Sequence, residues 1–328
     1  MSKVDVLGFM HYLPEALIDF YKKIRMGSPL RKHLLEKQEG FAPFFIVGSG
    51  RSGNTLLRRI LNSHSELFIP PETYVLGKSI RQFRRYNNMG WGDLVQLIYS
   101  NFEFYPEFET FDIKTLAPLV DSASRCPEEQ RTLAFLLHGF YEYFAKTHQI
   151  DKSRWGDKTP LNTFAIFPLF QVFPDAKFIH IVRDPYDVVA SYVASGIYKN
   201  HTDAARRWVR SVQMAEKFKS KYPGNLHEIY YETLVENPEK EIRRVCAFLD
   251  VPFEKTMLTS ETSAQELGDV RLRAHHANVY KPINTKSIGR GRDAIDADTN
   301  STIDPIIASE RDKFGYAAWS GHHSEETR

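Results

Sequence analysis

The sequence predicts an α/β fold, with a central, mostly parallel sheet flanked by helices in three layers. Three observations carry this. Short apolar runs recur at Phe44–Val47, Ala176–Val182 and His227–Tyr231, as buried parallel strands require. A stretch of helical periodicity follows each run. A glycine-rich loop, GSGRSGNT, joins the first run to its helix.

In chain order, residues 1–40 read as a charged helical extension ending at Gly40. Phe44–Val47 is the first strand, and Thr55–Asn62 continues it as a helix. Pro70 and Pro71 break the chain before Glu72. Residues 73–100 read as helical with a break at Gly90, and Asn101–Thr115, aromatic and acidic, reads as a loop or lid. Residues 127–148 are helical. After Trp155, the sequence WGDKTPLN leads through a helical segment to the second strand, Ala176–Val182. Asp184–Ala194 opens a helix with Pro185 in its first turn, where the missing N–H costs nothing. A long amphipathic helix spans 203–220, His227–Tyr231 is the third strand, and Pro238–Leu249 is a helix. Residues 256–300 read as polar loop. The expected organisation is one α/β domain over 41–318, with a disordered tail over 319–328.

Composition excludes several classes. With 43 Lys and Arg against 41 Asp and Glu, the net charge is +2, too small for the basic stripe of a nucleic-acid binder. An anionic small ligand needs only a few local cations. The two cysteines, Cys126 and Cys246, form no metal or redox pair and are expected as free thiols. The first 25 residues, interrupted by Asp5, His11, Pro14, Glu15 and Asp19, read as neither signal peptide nor membrane span. A soluble, cytoplasmic protein is the expectation.

The loop Gly48–Thr55 has P-loop spacing, so the fold is expected to be P-loop-like, but Asn54 stands where that motif has lysine. The glycines and the following helix N-terminus still converge N–H groups on one anion. What is lost is the cation that reaches the outer phosphates of a nucleoside triphosphate. Arg51, inside the loop, offers a planar fork of donors instead. A second anion site is expected at Arg183-Asp-Pro-Tyr-Asp-Val-Val-Ala-Ser191, where a strand ends and a helix begins. Open α/β sheets bind ligands at that edge.

Together, GSGRSGNTLL and VRDPYDVVASY resemble the two nucleotide-binding signatures of sulfotransferases that use 3′-phosphoadenosine 5′-phosphosulfate (PAPS). WGDKTP and YYETLVENPEKEIRRVCAFLDVPFE resemble two further segments of that superfamily, so the resemblance covers roughly residues 43–320. In motifs it is closest to the tyrosylprotein type and its bacterial relatives. The resemblance implies a PAPS donor held at its 5′ end by Arg51, Ser52, Gly53, Asn54 and Thr55. It implies a 3′-phosphate held by Arg183 and Ser191, with Tyr231 and Lys281 (in KPIN) as further nucleotide contacts. It implies Glu72 as the base, with Lys158 and Arg51 stabilising the leaving group, and no metal. The acceptor is expected to be a hydroxyl on a small molecule, a glycan or lipid head group, or a peptide tyrosine.

One position departs from the family. Its arginine four residues beyond Ser191 is Ser195 here, with Lys199 or Arg206 as candidate substitutes. His64 is the rival base. His180 is expected in the core, and Trp91 and Trp155 as packing residues. Arg81, Arg84 and Arg85 are expected on a solvated helix face. Two other functions remain open at this stage: a P-loop kinase-like phosphotransferase, and a nucleotide-binding module that has lost its chemistry.

Overall fold

The computed structural model describes residues 33–35, 41–259 and 282–320. The strands are β1 (Phe44–Gly48), β2 (Leu67–Phe68), β3 (Arg154–Lys158), β4 (Lys177–Val182) and β5 (Leu226–Tyr230). They form one sheet in the order β2-β3-β1-β4-β5, and every neighbouring pair is parallel. Phe45 lies opposite both Asp157 and Phe178. All five C-terminal strand ends therefore face one edge.

The helices are α1 (Asn54–Asn62), α2 (Leu76–Tyr86), α3 (Trp91–Glu103), α4 (Ala117–Ser124), α5 (Leu133–Thr147), α6 (Ile166–Val172), α7 (Pro185–Ala194), α8 (His201–Lys221), α9 (Tyr231–Glu236), α10 (Pro238–Leu249), α11 (Arg290–Ala294) and α12 (Ala297–Lys313). Every residue of β1 is buried, and its alternating side chains feed two layers. Phe45 and Val47 join a core with residues of α2, α3, α5 and α6. Phe44 and Ile46 join one with residues of α1, α9 and α10. A third core packs α7 against α8 and α12. Asp184 caps α7 by accepting the Tyr186 N–H at 2.8 Å, as the Pro185 pattern predicts.

Several expectations need correction. WGDK, given no element from sequence, lies in β3, at the sheet's interior. Asn101–Thr115 is a loop only beyond Glu103, where α3 ends, and buried Phe111 and Ile113 pin it to the core. The 256–300 stretch is not all loop. It contains α11 and the start of α12, whose Ile303 and Ile307 pack into the third core. Lys281, residues 260–280, the tail from 321 and most of the expected N-terminal extension lie outside the described residues. No described helix is long and apolar enough to cross a membrane.

β3 is held in place by aromatic packing. Trp155 stacks on Tyr141 at 3.7 Å and donates from its indole N–H to Nδ1 of His138 at 2.9 Å. His138 in turn stacks on Phe41. Burial pushes His138 down to about 4. The unfolded chain therefore takes up this proton near 6.5 and the folded chain only near 4. The neighbouring Glu142 carboxyl, 3.8 Å from Nε2, is itself pushed up by burial. The His138 contribution to stability is fully present above pH 6.5 and is lost as pH falls toward 4. Urea unfolding at pH 7 and pH 4.5 is expected to show that loss, and His138→Gln is expected to shrink it. An unchanged slope in the variant would assign the acid sensitivity to other groups.

Candidate active site

The loop after β1 is braced from within. Thr163 Oγ1 accepts the Gly48 N–H at 2.8 Å and donates back to the Gly48 carbonyl at 3.1 Å. Asn54 Nδ2 donates to the Ser49 carbonyl at 2.7 Å. The residue in the P-loop lysine position thus ties the loop to itself rather than reaching outward. Gly53, with φ of 96°, could not carry a side chain: a Cβ there would sit 2.4 Å from the Tyr231 ring. Arg51 is left-handed as well, with φ of 68°, a strain typical of functional loops.

Two guanidinium groups meet beside this loop. Arg51 Nε donates to Ser191 Oγ at 3.0 Å, and Arg183 Nη1 donates to the Arg51 carbonyl at 3.3 Å. Arg183 also lies over the Tyr231 ring, 4.3 Å from its centroid. Burial, and then the charge of Arg183, hold Arg51 below the ordinary arginine value. An anion between them would relieve that repulsion. Arg183 Nε is buried with no hydrogen-bond partner among the described residues, so the site has an unused donor.

The catalytic candidates converge from the next strand. Lys158, at the end of β3, is 1 % exposed, and Glu72 is 8 % exposed. Lys158 Nζ donates to Glu72 Oε1 and to Thr55 Oγ1 at 3.3 Å. The other Glu72 oxygen accepts the Tyr74 hydroxyl. Asp157 fixes the residue next to Glu72. It accepts Thr73 Oγ1 at 2.9 Å, the Tyr141 hydroxyl at 2.8 Å and Asn162 Nδ2 at 2.6 Å. Burial raises the Asp157 carboxyl above its ordinary value despite these donors.

A cavity of about 820 Å³ joins these groups, a volume typical of sites for small molecules and cofactors. Arg51, Gly53, Asn54, Thr55, Glu72, Lys158, Arg183, Ser191 and Tyr231 all line it. Ser52 does not; its side chain is buried with an unpartnered hydroxyl. Lys281 lies outside the described residues, but Pro282, Ile283 and Asn284 of the same KPIN segment line the cavity.

Other expectations divide. His64 is fully buried and directs Nε2 at the Pro252 carbonyl, 2.7 Å away, and, unlike Glu72, does not line the cavity. His180 is a core residue beside Glu228, Trp91 and Trp155 are buried, and Arg81, Arg84 and Arg85 are exposed. Ser195 ends α7 and donates to the Tyr192 carbonyl. Neither proposed substitute for the missing arginine reaches the cavity: Lys199 is exposed, and Arg206 pairs with Asp203 on the surface. The next residue, Arg207, does line it, 4.1 Å over the Phe164 ring.

Sequence reading also missed Asp187. Its buried carboxylate accepts Arg183 Nη2 at 3.1 Å, the Gly289 N–H at 3.0 Å and the Gly291 N–H at 2.6 Å. It thereby clasps the start of α11 onto the second anion motif. Arg183 Nη2 reaches the Ser287 carbonyl just before that helix. The partners lie more than 100 residues apart, and only the acid in the RDPYD turn hinted at a role.

Comparison with known proteins agrees with this geometry. The profile of the Sulfotransferase family matches residues 43–255. Protein-tyrosine sulfotransferase A of Caenorhabditis elegans is 23% identical over 286 residues, covering 84% of this chain and 67% of that protein. Protein-tyrosine sulfotransferase 1 of Danio rerio is 24% identical over 309 residues, covering 92% of this chain and 79% of its own length. The sulfotransferase domain from the Synechococcus PCC 7002 olefin synthase superposes with a TM-score of 0.60 at 24% identity, over 86% of this chain and 98% of that domain, a likeness of fold. Because the family profile runs from β1 through α10 and takes in the phosphate loop, Glu72, Lys158 and the Arg183 motif, the chain belongs to the sulfotransferase family of enzymes.

Proposed function

We propose that the protein moves a sulfuryl group from PAPS to an acceptor hydroxyl by in-line displacement, with Glu72 as base and Lys158 at the leaving group. The observation that carries this is the single cavity joining the Arg51 loop, the Arg183–Ser191 motif and the Glu72–Lys158 pair. The unused donor of Arg183 and the crowded guanidinium groups suit a nucleotide with phosphates at two positions. PAPS, when bound, supplies an activated sulfuryl group on its 5′-phosphate.

The residues act in sequence. The loop amides and Arg51 fix the 5′ end. Lys158 turns from Glu72 toward the bridging oxygen and stabilises the charge that builds there as the S–O bond breaks. Glu72, released from the lysine, takes the acceptor's proton as its oxygen bonds to sulfur. Positioning and charge stabilisation supply most of the acceleration. The curated relatives are named for protein tyrosine, which supports including a phenol among the acceptors tested.

Calorimetry with 3′-phosphoadenosine 5′-phosphate (PAP) tests the donor. With both anion sites engaged, PAP is expected to bind at least about tenfold more tightly than adenosine 5′-phosphate, one charge-assisted contact being worth about 1.5–3 kcal/mol. Labelled PAPS with an acceptor panel then tests transfer. Tight magnesium-ATP binding with no preference for PAP would favour the kinase-like reading instead. PAP binding without transfer would favour a module that has lost its chemistry.

A further inference from the structure

A hydroxyl acceptor in this site must meet two conditions. It must donate its hydrogen bond to the base, and its oxygen must lie in the cavity that faces the donor. One side chain of the protein itself meets both. The Tyr74 hydroxyl donates to Glu72 Oε2, and Tyr74 lines the cavity shared with Arg51, Thr55 and Lys158. The other oxygen of the same carboxylate faces Lys158. A phenol, the base and the leaving-group cation therefore stand in one hydrogen-bonded row.

The backbone is bent to achieve this. Tyr74 is left-handed, with φ of 55°, a conformation that a bulky side chain rarely adopts and that marks functional sites when it occurs. Its ring is supported by a stack on Tyr105, centroids 5.4 Å apart. Thr73, immediately before it, is locked to buried Asp157 and to Thr159. The strand end and the aromatic stack thus hold the phenol on Glu72, where a passing surface tyrosine would swing away.

From this arrangement we infer that Tyr74 is itself a sulfuryl acceptor, so that the protein sulfates its own chain when donor is bound and the cleft holds no other hydroxyl. The inference rests on the PAPS reading above. The step balances as the intermolecular one does. The Tyr74 phenolic oxygen bonds to sulfur and its proton passes to Glu72. The bond from sulfur to the 5′-phosphate oxygen breaks, and PAP leaves with that electron pair, stabilised by Lys158. The product is one tyrosine O-sulfate ester per chain. It forms once, because an esterified oxygen has no proton left to give. An external hydroxyl competes for the same Glu72 oxygen, so self-transfer is slowed by a good acceptor.

The full chain is incubated with ³⁵S-labelled PAPS without added acceptor, and protein-bound label is counted after denaturation and mapped to a peptide. Intact mass before and after incubation identifies chains already sulfated during expression. PAP binding is measured in parallel by calorimetry. The wild type is expected to approach stoichiometric labelling at Tyr74. Tyr74→Phe is expected to bind PAP as the wild type does and stay unlabelled. Glu72→Gln is expected to bind PAP and label far more slowly. A wild-type chain that binds PAP but takes up no sulfate, or label that persists in Tyr74→Phe, overturns the inference while leaving the donor reading intact. A wild type that does not bind PAP overturns the donor reading, and self-transfer with it.

Discussion

Lys158→Met is expected to lower kcat by about 10²–10³-fold, the usual cost of removing one preorganised group from a developing negative charge. The same change also destabilises the fold. Glu72 loses the buried cation it pairs with, and an uncompensated buried charge costs about 3–5 kcal/mol. The two effects separate in the double variant Lys158→Met, Glu72→Gln. Stability is expected to recover, since no charge is left stranded, while turnover stays lost. Urea midpoints and initial rates of transfer from PAPS measure the two independently. A single variant that turns over within twofold of the wild type would remove Lys158 from the mechanism.

The second large effect is expected at Asp187. Its carboxylate holds the Gly289 amide just before α11 and the Gly291 amide in its first turn, together with the Arg183 guanidinium. Asp187→Ala leaves those buried donors unpaired, at about 1–3 kcal/mol for each group left unsatisfied. PAP affinity is expected to fall about 30-fold or more, equivalent to two such contacts at the low end of that range. Asp187→Asn keeps one acceptor oxygen and is expected to fall in between. Gly291→Ala probes the same clasp from the other side, since a Cβ there would lie 2.2 Å from the Tyr186 carbonyl oxygen. Calorimetry with PAP checks all three. Unchanged affinity in Asp187→Ala would mean that the start of α11 contributes nothing to the nucleotide site.

Where chemistry is local in the chain, the sequence was readable. The strand, loop and helix from Phe44 to Asn62 announce themselves through an apolar run, clustered glycines and helical spacing. The Asp184-Pro185 cap behaves as its residues require. β3 was not readable, because RWGDK has too many charges for a buried strand taken alone. Asp157 and Lys158 are tolerated inside only because Tyr141, Thr73, Asn162 and Glu72 reach them from elsewhere. The 101–115 stretch, expected as a loop or lid, is pinned for a related reason: Phe102 and Phe111 are core residues, while Phe104 stays exposed. α12 was hidden by Pro305 and by its sparse apolar positions. Arg207 reaches the cavity because it lies three residues after Ala204 and four before Ser211, on the packed face of α8, whereas Arg206 falls on the exposed face.

The strand order has a consequence for how the protein is made. β1 is the first of the described strands in the chain, yet its neighbours in the sheet are β3 and β4. The next strand in the chain, β2, pairs only with β3 at the sheet edge. Until Lys158 has left the ribosome, FFIVG is an apolar strand with two open hydrogen-bonding edges, and one of them stays open until Val182 has followed. Such segments aggregate readily, and parallel pairings across long separations form slowly. The nascent chain therefore has to be shielded over more than a hundred residues of synthesis, and a product truncated between β1 and β3 keeps this apolar strand without either partner.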